Sequence, residues 1–301
     1  FSLGDCAPRD ALLCRALGFL TQLIAVVKNV DGCYSTKITL TLEEQSVTLD
    51  HGFHILGVFP SAISADKEKL NGLTAWYADG VLREKRYTAF DLHPAVKPFY
   101  ELTRKQCGLS PLPSAIVPQA PEIQGAGPIL ELVSAPLFAA ERFKRLRQRR
   151  SLSVNFYPFQ FPNALLLSAD ERVEVFATVS RSRCFATIIG EHLTASVDPA
   201  ALYREVTRLL YRGGIRYIEI INDAADAAGI EAIRRAGYSP CGYFPCLKNA
   251  GELRRDYVVF AKSFEFFTYR PLPIHPLYAE FLREFCKARE TVLEENGAIA
   301  S

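Results

Sequence analysis

Hydrophobic and polar positions follow two periods along the chain, and these predict helices and strands in turn. Residues 11–30 are apolar on nearly every helical face, so we expect a helix that is buried on most sides. Residues 36–42 (TKITLTL) alternate in the manner of a strand. A polar helix over 44–51, a strand over 86–92 and a helix from His93 to about residue 106 complete the first part.

The second part of the chain predicts a similar order of elements. Its central helix begins at Asp198, which can cap the helix ahead of a proline at the first helical position, and ends at Gly213-Gly214. The other elements are predicted as follows: strands over 129–133, 163–168, 172–180, 184–190, 216–222 and 255–262, and helices over 136–150, 225–236 and 275–294.

One nine-residue pattern, G-[FY]-x-x-x-G-x-F-P, occurs twice, at 52–60 and at 237–245. Its first glycine suits the left-handed residue that closes a helix, its second a close backbone approach in a strand, and its proline the end of that strand. A His-Pro pair with Phe six residues after the His also occurs twice, at 93–99 and at 275–281. Two patterns repeated in one order indicate an internal duplication.

Proline and glycine are concentrated in residues 108–128, which predicts a linker between two domains. We therefore expect a first domain over 1–107 and a second over 129–301. The first domain has no counterpart of the strands at 163–190. Methionine is absent and the chain starts at Phe1, so we expect either that the first copy is truncated at its N-terminus or that residues are missing there.

Composition excludes several classes of protein. The net charge of +2 does not favour a nucleic-acid partner, although six basic residues in 142–150 keep that alternative open beside a solvated helix face. The most apolar segment, 16–27, is shorter than the roughly 20 residues of a membrane span. None of the eight cysteines forms a C-x-x-C pair, so we expect no metal site and reduced thiols in a cytoplasmic protein.

The segment "IRYIEIINDAADAAGIEAIRRAGYSPCGYFP" resembles the closing half of a GNAT (GCN5-related N-acetyltransferase) fold, and residues 8–60 resemble it again. The fold class we expect is therefore α/β, with two tandem GNAT-like mixed-sheet domains. The resemblance implies acetyl-CoA or another acyl-CoA in a splayed groove between two central strands. It also implies transfer of the acyl group to an amine of a small molecule or protein.

In the family, a glycine-rich loop before the central helix holds the CoA pyrophosphate on backbone N–H groups. This sequence has "GDCAPRDALL" before its first such helix, so the resemblance places the cofactor at Ala7, Arg9, Asp10 and Ala11. Before the second helix it has "HLTASVDPAAL". A capping carboxylate at Asp10 or Asp198 would satisfy the same N–H donors and repel a phosphate.

Three side chains are candidate acids or bases. His93 and His275 recur before a proline and could titrate near neutral pH, or simply cap their helices. Glu44 follows a predicted strand end and could equally be a solvated surface group. The family's Asn and Tyr positions hold other residues here, namely Thr41 and Asp226 for Asn, and Thr48 and Ile233 for Tyr.

Two functions follow from the sequence. The first is an acyl-CoA-dependent N-acyltransferase of the GNAT type. The alternative is a catalytically inactive GNAT-like module that binds a small ligand or a protein, which the missing loop and the acidic caps favour. We expect no membrane partner and leave a homo-oligomer open.

Overall fold

The computed structural model describes residues 15–16, 18–20, 23, 30–37, 42–60, 71–117, 127–154, 160–264 and 274–298. The strands are β1 (Gly32–Lys37), β2 (His54–Phe59), β3 (Asn71–Tyr77), β4 (Leu130–Val133), β5 (Ser153–Val154), β6 (Ala164–Ser168), β7 (Val173–Ser180), β8 (Phe185–Leu193), β9 (Tyr217–Asp223), β10 (Ser239–Ala250) and β11 (Leu253–Ser263). The α-helices are α1 (Leu42–Asp50), α2 (Lys97–Cys107), α3 (Pro136–Gln148), α4 (Pro199–Arg212), α5 (Ala227–Arg235) and α6 (Pro276–Ala298).

All eleven described strands join one mixed sheet, in the order β1-β3-β2-β10-β11-β9-β8-β7-β6-β4, with β5 beside β8. Among the described strands, β8 and β9 form the parallel pair, and every other pair is antiparallel. The prediction of an α/β fold with a mixed sheet is confirmed.

Two sets of three strands are arranged alike. The first trio, β1 to β3, has the order β1-β3-β2, and the second trio, β9 to β11, has the order β9-β11-β10. In each trio a helix precedes the strand that is second along the chain, β2 or β10. The left-handed glycine of the repeated pattern follows that helix, at Gly52 (φ 77°) and Gly237 (φ 89°). The first glycine of the pattern therefore closes a helix, as predicted.

The second glycines of the two patterns meet each other. Gly57 of β2 pairs with Gly242 of β10, and this pair is the seam between the two trios. A Cβ on Gly57 would lie 2.5 Å from the Cα of Gly242 and 2.7 Å from the carbonyl oxygen of Cys241. The close backbone approach predicted from the pattern is confirmed, and it is a contact between the two copies of the pattern.

The two His-Pro helices lie side by side over the seam. Helix α2 and helix α6 each contact both β2 and β10, and they contact each other. Phe99 and Phe281, the phenylalanines six residues after each His, are fully buried with ring centroids 6.4 Å apart. Because each helix covers strands of both trios, the two halves share one hydrophobic core.

A buried ion pair also joins the halves. The Asp256 side chain on β11 accepts hydrogen bonds from Arg86 Nε (2.8 Å) and Nη2 (2.6 Å), from the Tyr243 hydroxyl (2.6 Å) and from the Cys246 amide (3.0 Å). The Arg86 and Asp256 side chains are 2% and 0% exposed. The neighbouring carboxylate holds the pKa of Arg86 above its usual range, although burial alone would lower it.

Several predicted boundaries were wrong. The first strand covers Gly32–Lys37, and Leu42 already belongs to α1. Residues 86–92 form no strand, because Arg86 and Leu92 make only isolated bridges after a π-helix at Val81–Lys85. Strand β3 was not predicted. Pro245 does not end its strand, since a bulge between Phe244 and Lys248 accommodates it and β10 continues to Ala250.

The apolar helix predicted over 11–30 lies mostly outside the described residues. Residues 15–16, 18–20 and 23 are helical and Val30 is not. Phe19 is 67% exposed and Leu23 is 48% exposed, so burial on most sides was wrong for them. Among the described helices, none has the length and apolarity that a membrane crossing requires.

Candidate functional site

The two central strands of the second half separate part-way along their length. β8 and β9 pair in register from Phe185 with Tyr217 to Ile188 with Ile220, and no further. One extra residue, Ile189, interrupts the pairing of β8 with β7, because Ala177 pairs with Ile188 and Phe176 with Gly190. This β-bulge redirects the rest of β8, as bulges do, and opens a groove between the two parallel strands.

Part of this groove is filled by the chain itself. At Gly190 and Glu191 one edge of β8 is paired with β7, and the other is paired with β5 through Val154 and Ser153. That second edge is the one that β9 holds up to Ile188. Strand β5, which the sequence did not predict, therefore lies where the central strands separate.

The central helix α4 begins at the same groove with its first donors occupied. Asp198 caps it, and Asp198 Oδ1 accepts hydrogen bonds from the amides of Ala200 (2.8 Å) and Ala201 (3.4 Å). Pro199 at the first helical position has no N–H to offer. The predicted cap is confirmed, and a carboxylate stands at the end of the helix where its amides would otherwise face a ligand.

The half-buried side chain of Glu191 lies between β8 and α4. Glu191 Oε1 accepts a hydrogen bond of 2.5 Å from the Tyr203 hydroxyl. Burial raises the pKa of Glu191, with the charge of Asp226 adding to the effect, whereas the bond from Tyr203 lowers it. Burial also raises the pKa of Tyr203, and the Glu191 charge adds to that. Glu191 did not stand out in the sequence, since its role depends on the bulge that turns it towards α4.

A second carboxyl, which is buried, lies one strand away. Glu219 of β9 is 5% exposed and is paired across the strands with Thr187 of β8, whose hydroxyl accepts a hydrogen bond from Gln160 Nε2. Burial raises the pKa of Glu219 to about 8, despite a hydrogen bond from Tyr217 that lowers it. Glu219 is therefore protonated over much of the range in which an exposed carboxyl is ionised.

This shift predicts a measurable pH dependence. Between the ordinary pKa of 4.5 and the folded value of about 8, the native chain holds a proton that the unfolded chain releases. Its contribution to the free energy of unfolding thus falls as pH rises, by at most about 1.4 kcal/mol per pH unit. Glu219→Gln should remove this slope in urea titrations from pH 5 to 8, and equal slopes in both proteins would contradict the assignment.

Both predicted histidines cap helices. His93 Nδ1 accepts from the Ala95 amide at 3.2 Å, and His275 Nδ1 accepts from the Leu277 amide at 3.3 Å. Because the acceptor nitrogen of His93 carries no proton, the neutral ring is protonated at Nε2, which lies 3.3 Å from Glu231 Oε2. Their capping role is observed, and their catalytic role stays a prediction.

His93 lines a groove of about 700 Å³ between α2, α5 and α6, together with Phe99, Glu231, Arg234 and Lys287. The cationic groups of this groove are paired with carboxylates. Arg234 pairs with Glu231 of the groove and with Glu295 outside its lining, and Lys287 pairs with Glu284. Neither the Glu191 carboxyl nor strand β5 belongs to its lining.

The remaining predicted site residues are placed as follows. Ala7, Arg9, Asp10 and Ala11 lie outside the described residues, and Glu44 belongs to α1 with a side chain that is not described. Asp226, at one of the family's Asn positions, caps α5, and its carboxylate accepts a hydrogen bond from Asn222 Nδ2 at 3.2 Å. In the basic helix α3, Arg142 is paired with Glu171 and Glu174.

Comparison with known proteins finds solved structures of acetyltransferases that align with about half of this chain at low sequence identity. The ribosomal-protein-S18-alanine N-acetyltransferase of Escherichia coli is 15% identical and covers 48% of this chain and 99% of its own, with a TM-score of 0.34. An acetyltransferase of the GNAT family from Streptococcus pneumoniae is 15% identical and covers 46% of this chain and all of its own, with a TM-score of 0.34. No family model and no curated protein matches the sequence.

After β8, the central helix α4, strand β9, helix α5 and strands β10 and β11 follow in the order that the sequence resemblance implied, with the splayed parallel pair of β8 and β9 at the centre.

The residues of the GNAT-like groove do not fit acyl-CoA. The segment from His192 to Ala200 contains no glycine that would let a pyrophosphate approach the backbone. The first amides of α4 are bound to Asp198, and the carboxylate would repel the phosphates. Strand β5 already pairs with β8 at Gly190 and Glu191.

Proposed function

We propose that this chain is a catalytically inactive GNAT-like module that binds a small ligand or a protein and does not use acyl-CoA. The observation that carries the proposal is the Asp198 carboxylate, which holds the amides of Ala200 and Ala201 at the start of the central helix. These are the donors that the GNAT resemblance assigns to the CoA pyrophosphate. Aspartate satisfies them and adds a negative charge, so a phosphate would lose both its donors and its favourable field.

Calorimetric titration with acetyl-CoA tests this proposal. We expect no measurable heat of binding up to millimolar acetyl-CoA, because neither the helix end nor the strand edge is free to receive it. A GNAT acetyltransferase titrated in the same buffer serves as the positive control. A dissociation constant in the micromolar range for this chain would contradict the proposal.

A second candidate is acyl-CoA-dependent N-acyl transfer to an amine of a small molecule or protein, and one observation favours it. The central strands do part, and the half-buried Glu191 carboxyl at the groove has a raised pKa. Such a carboxyl suits a general base that accepts the proton of an attacking amine. This candidate requires release of free CoA from acetyl-CoA in the presence of an amine, and loss of that release in Glu191→Gln.

We also propose that the two strand trios are copies of one unit, with residues 1–107 as the closing half of one GNAT-like domain, 108–128 as a linker and 129–301 as the second domain. The matching strand orders and the matching positions of the paired glycines support this division. A cytoplasmic location is consistent with the six free thiols among the described residues. The module is proposed to act without a membrane or nucleic-acid partner, and self-association is a further outcome to measure.

A further inference from the structure

The position of β5 follows from the geometry of strand edges. A strand has two edges, and at Gly190 and Glu191 β7 takes one of them. Ser153 and Val154 pair with the same two residues, so they must take the other. Since β9 holds that edge only as far as Ile188, residues 153–154 continue the sheet where β9 leaves it.

Residues 151–152 anchor this segment on both sides. The Ser151 amide donates to the Leu146 carbonyl at 3.1 Å, which ties it to the last turn of α3. The Ser151 carbonyl oxygen lies 2.7 Å from His192 Nδ1, which ties it to β8. Leu152 packs against the buried cluster that contains Phe143 and Ile189. The segment is thus held at several points by polar and apolar contacts.

Gly190 makes room for the segment. A Cβ on this residue would lie 2.9 Å from the Ser153 carbonyl oxygen and 3.2 Å from Phe143 Cε2. Any side chain at residue 190 would therefore push β5 or α3 away from β8. The sequence of β8 is adapted to contact with the chain's own backbone at the point where the groove opens.

We propose that residues 151–154 form an internal plug of the GNAT-like groove, taking the place along β8 that a linear ligand would occupy. This inference rests on the proposed function and adds to it the group that closes the groove. An extended ligand such as the arm of CoA would have to break the pairing of β5 with Gly190 and Glu191 and withdraw Leu152 from its apolar cluster. Residues 151–154 therefore connect α3 to β8 in the place where a ligand would enter the groove.

The plug is tested by a disulfide between Ser153→Cys and Glu191→Cys. Directly opposed residues of antiparallel strands have Cα atoms about 4.5–5.5 Å apart, within the range a disulfide accepts. We expect mild oxidation to link these two cysteines, as read by peptide mass mapping. The single variant Ser153→Cys controls for pairing with the native cysteines. Absence of the link would overturn the plug.

Acetyl-CoA titration of the linked variant separates the two proposals. Silence of both the wild type and the linked variant supports the proposed function, and the formation of the disulfide then decides the plug. Binding to the wild type that weakens at least tenfold on linking overturns the proposed function but supports the plug. Equal binding to both forms overturns the plug as well. If the double variant does not fold, hydrogen exchange of the wild type decides. Of the neighbouring amides of Gly190 and Glu191, one faces β7 and the other faces β5, so slow exchange of both supports the plug, and rapid exchange of the one that faces β5 overturns it.

Discussion

Gly57→Ala is expected to destabilise the protein by about 3 kcal/mol or more, since overpacking a filled interior typically costs about 1–3 kcal/mol and here the neighbours cannot move aside. The added methyl group would lie 2.5 Å from the Gly242 Cα and 2.7 Å from the Cys241 carbonyl oxygen. Both are backbone atoms of β10. Relief would require the two trios to separate at their seam, where the described register contains this one pair.

Urea unfolding followed by circular dichroism measures this effect. Gly251→Ala is the matched control, because Gly251 has a φ of 70° but no atom within 4 Å of its Cβ position. It should cost about 1–2 kcal/mol from left-handed strain alone. A Gly57→Ala protein no less stable than this control would show that the seam does not hold the halves together in the way described.

Breaking the Arg86–Asp256 pair should have a comparably large effect. Removing one partner of a buried ion pair costs about 3–5 kcal/mol, because the other charge is left without compensation. Removal of the Asp256 carboxylate would leave Arg86, the Tyr243 hydroxyl and the Cys246 amide without this acceptor. Asp256→Leu and Arg86→Met are therefore each expected to lower the free energy of unfolding by about this amount.

The double variant separates charge from packing. Replacing both partners by apolar groups removes the uncompensated charge, so Arg86→Met with Asp256→Leu should cost clearly less than the sum of the single variants. Arg83→Met is the control, because Arg83 also pairs with a carboxylate, Glu84, but on the surface with a side chain 84% exposed. It should change stability by less than about 1 kcal/mol. Additive costs in the buried pair would contradict the assigned coupling.

Local sequence patterns predicted the elements better than their meeting points. The glycine pattern predicted a helix stop at Gly52 and Gly237 and a close approach at Gly57 and Gly242, because both depend on the backbone of a few residues. That the two close approaches are one contact could not be read from either copy. This contact joins residues 185 positions apart in the chain, and the register that brings them together is set by the whole sheet.

The candidate site shows the same difference between local features and long-range contacts. The cap at Asp198 was predictable, since its geometry is local to Asp-Pro at a helix start. Strand β5 was not, because two residues have no hydrophobic period and pair only where the bulge at Ile189 leaves an edge. The raised pKa values of Glu191 and Glu219 could not be predicted for a related reason, since burial and not residue type shifts them.

The seam also sets the order in which the protein can mature during synthesis. β2 emerges from the ribosome well before β10, and at about 5–20 residues per second the wait between Gly57 and Gly242 is on the order of 10–40 s. Helix α6, which covers both strands, follows later still. Throughout that interval the nascent first trio exposes an unpaired strand edge on β2. Chaperone binding to the nascent chain should therefore be strongest before β10 has emerged.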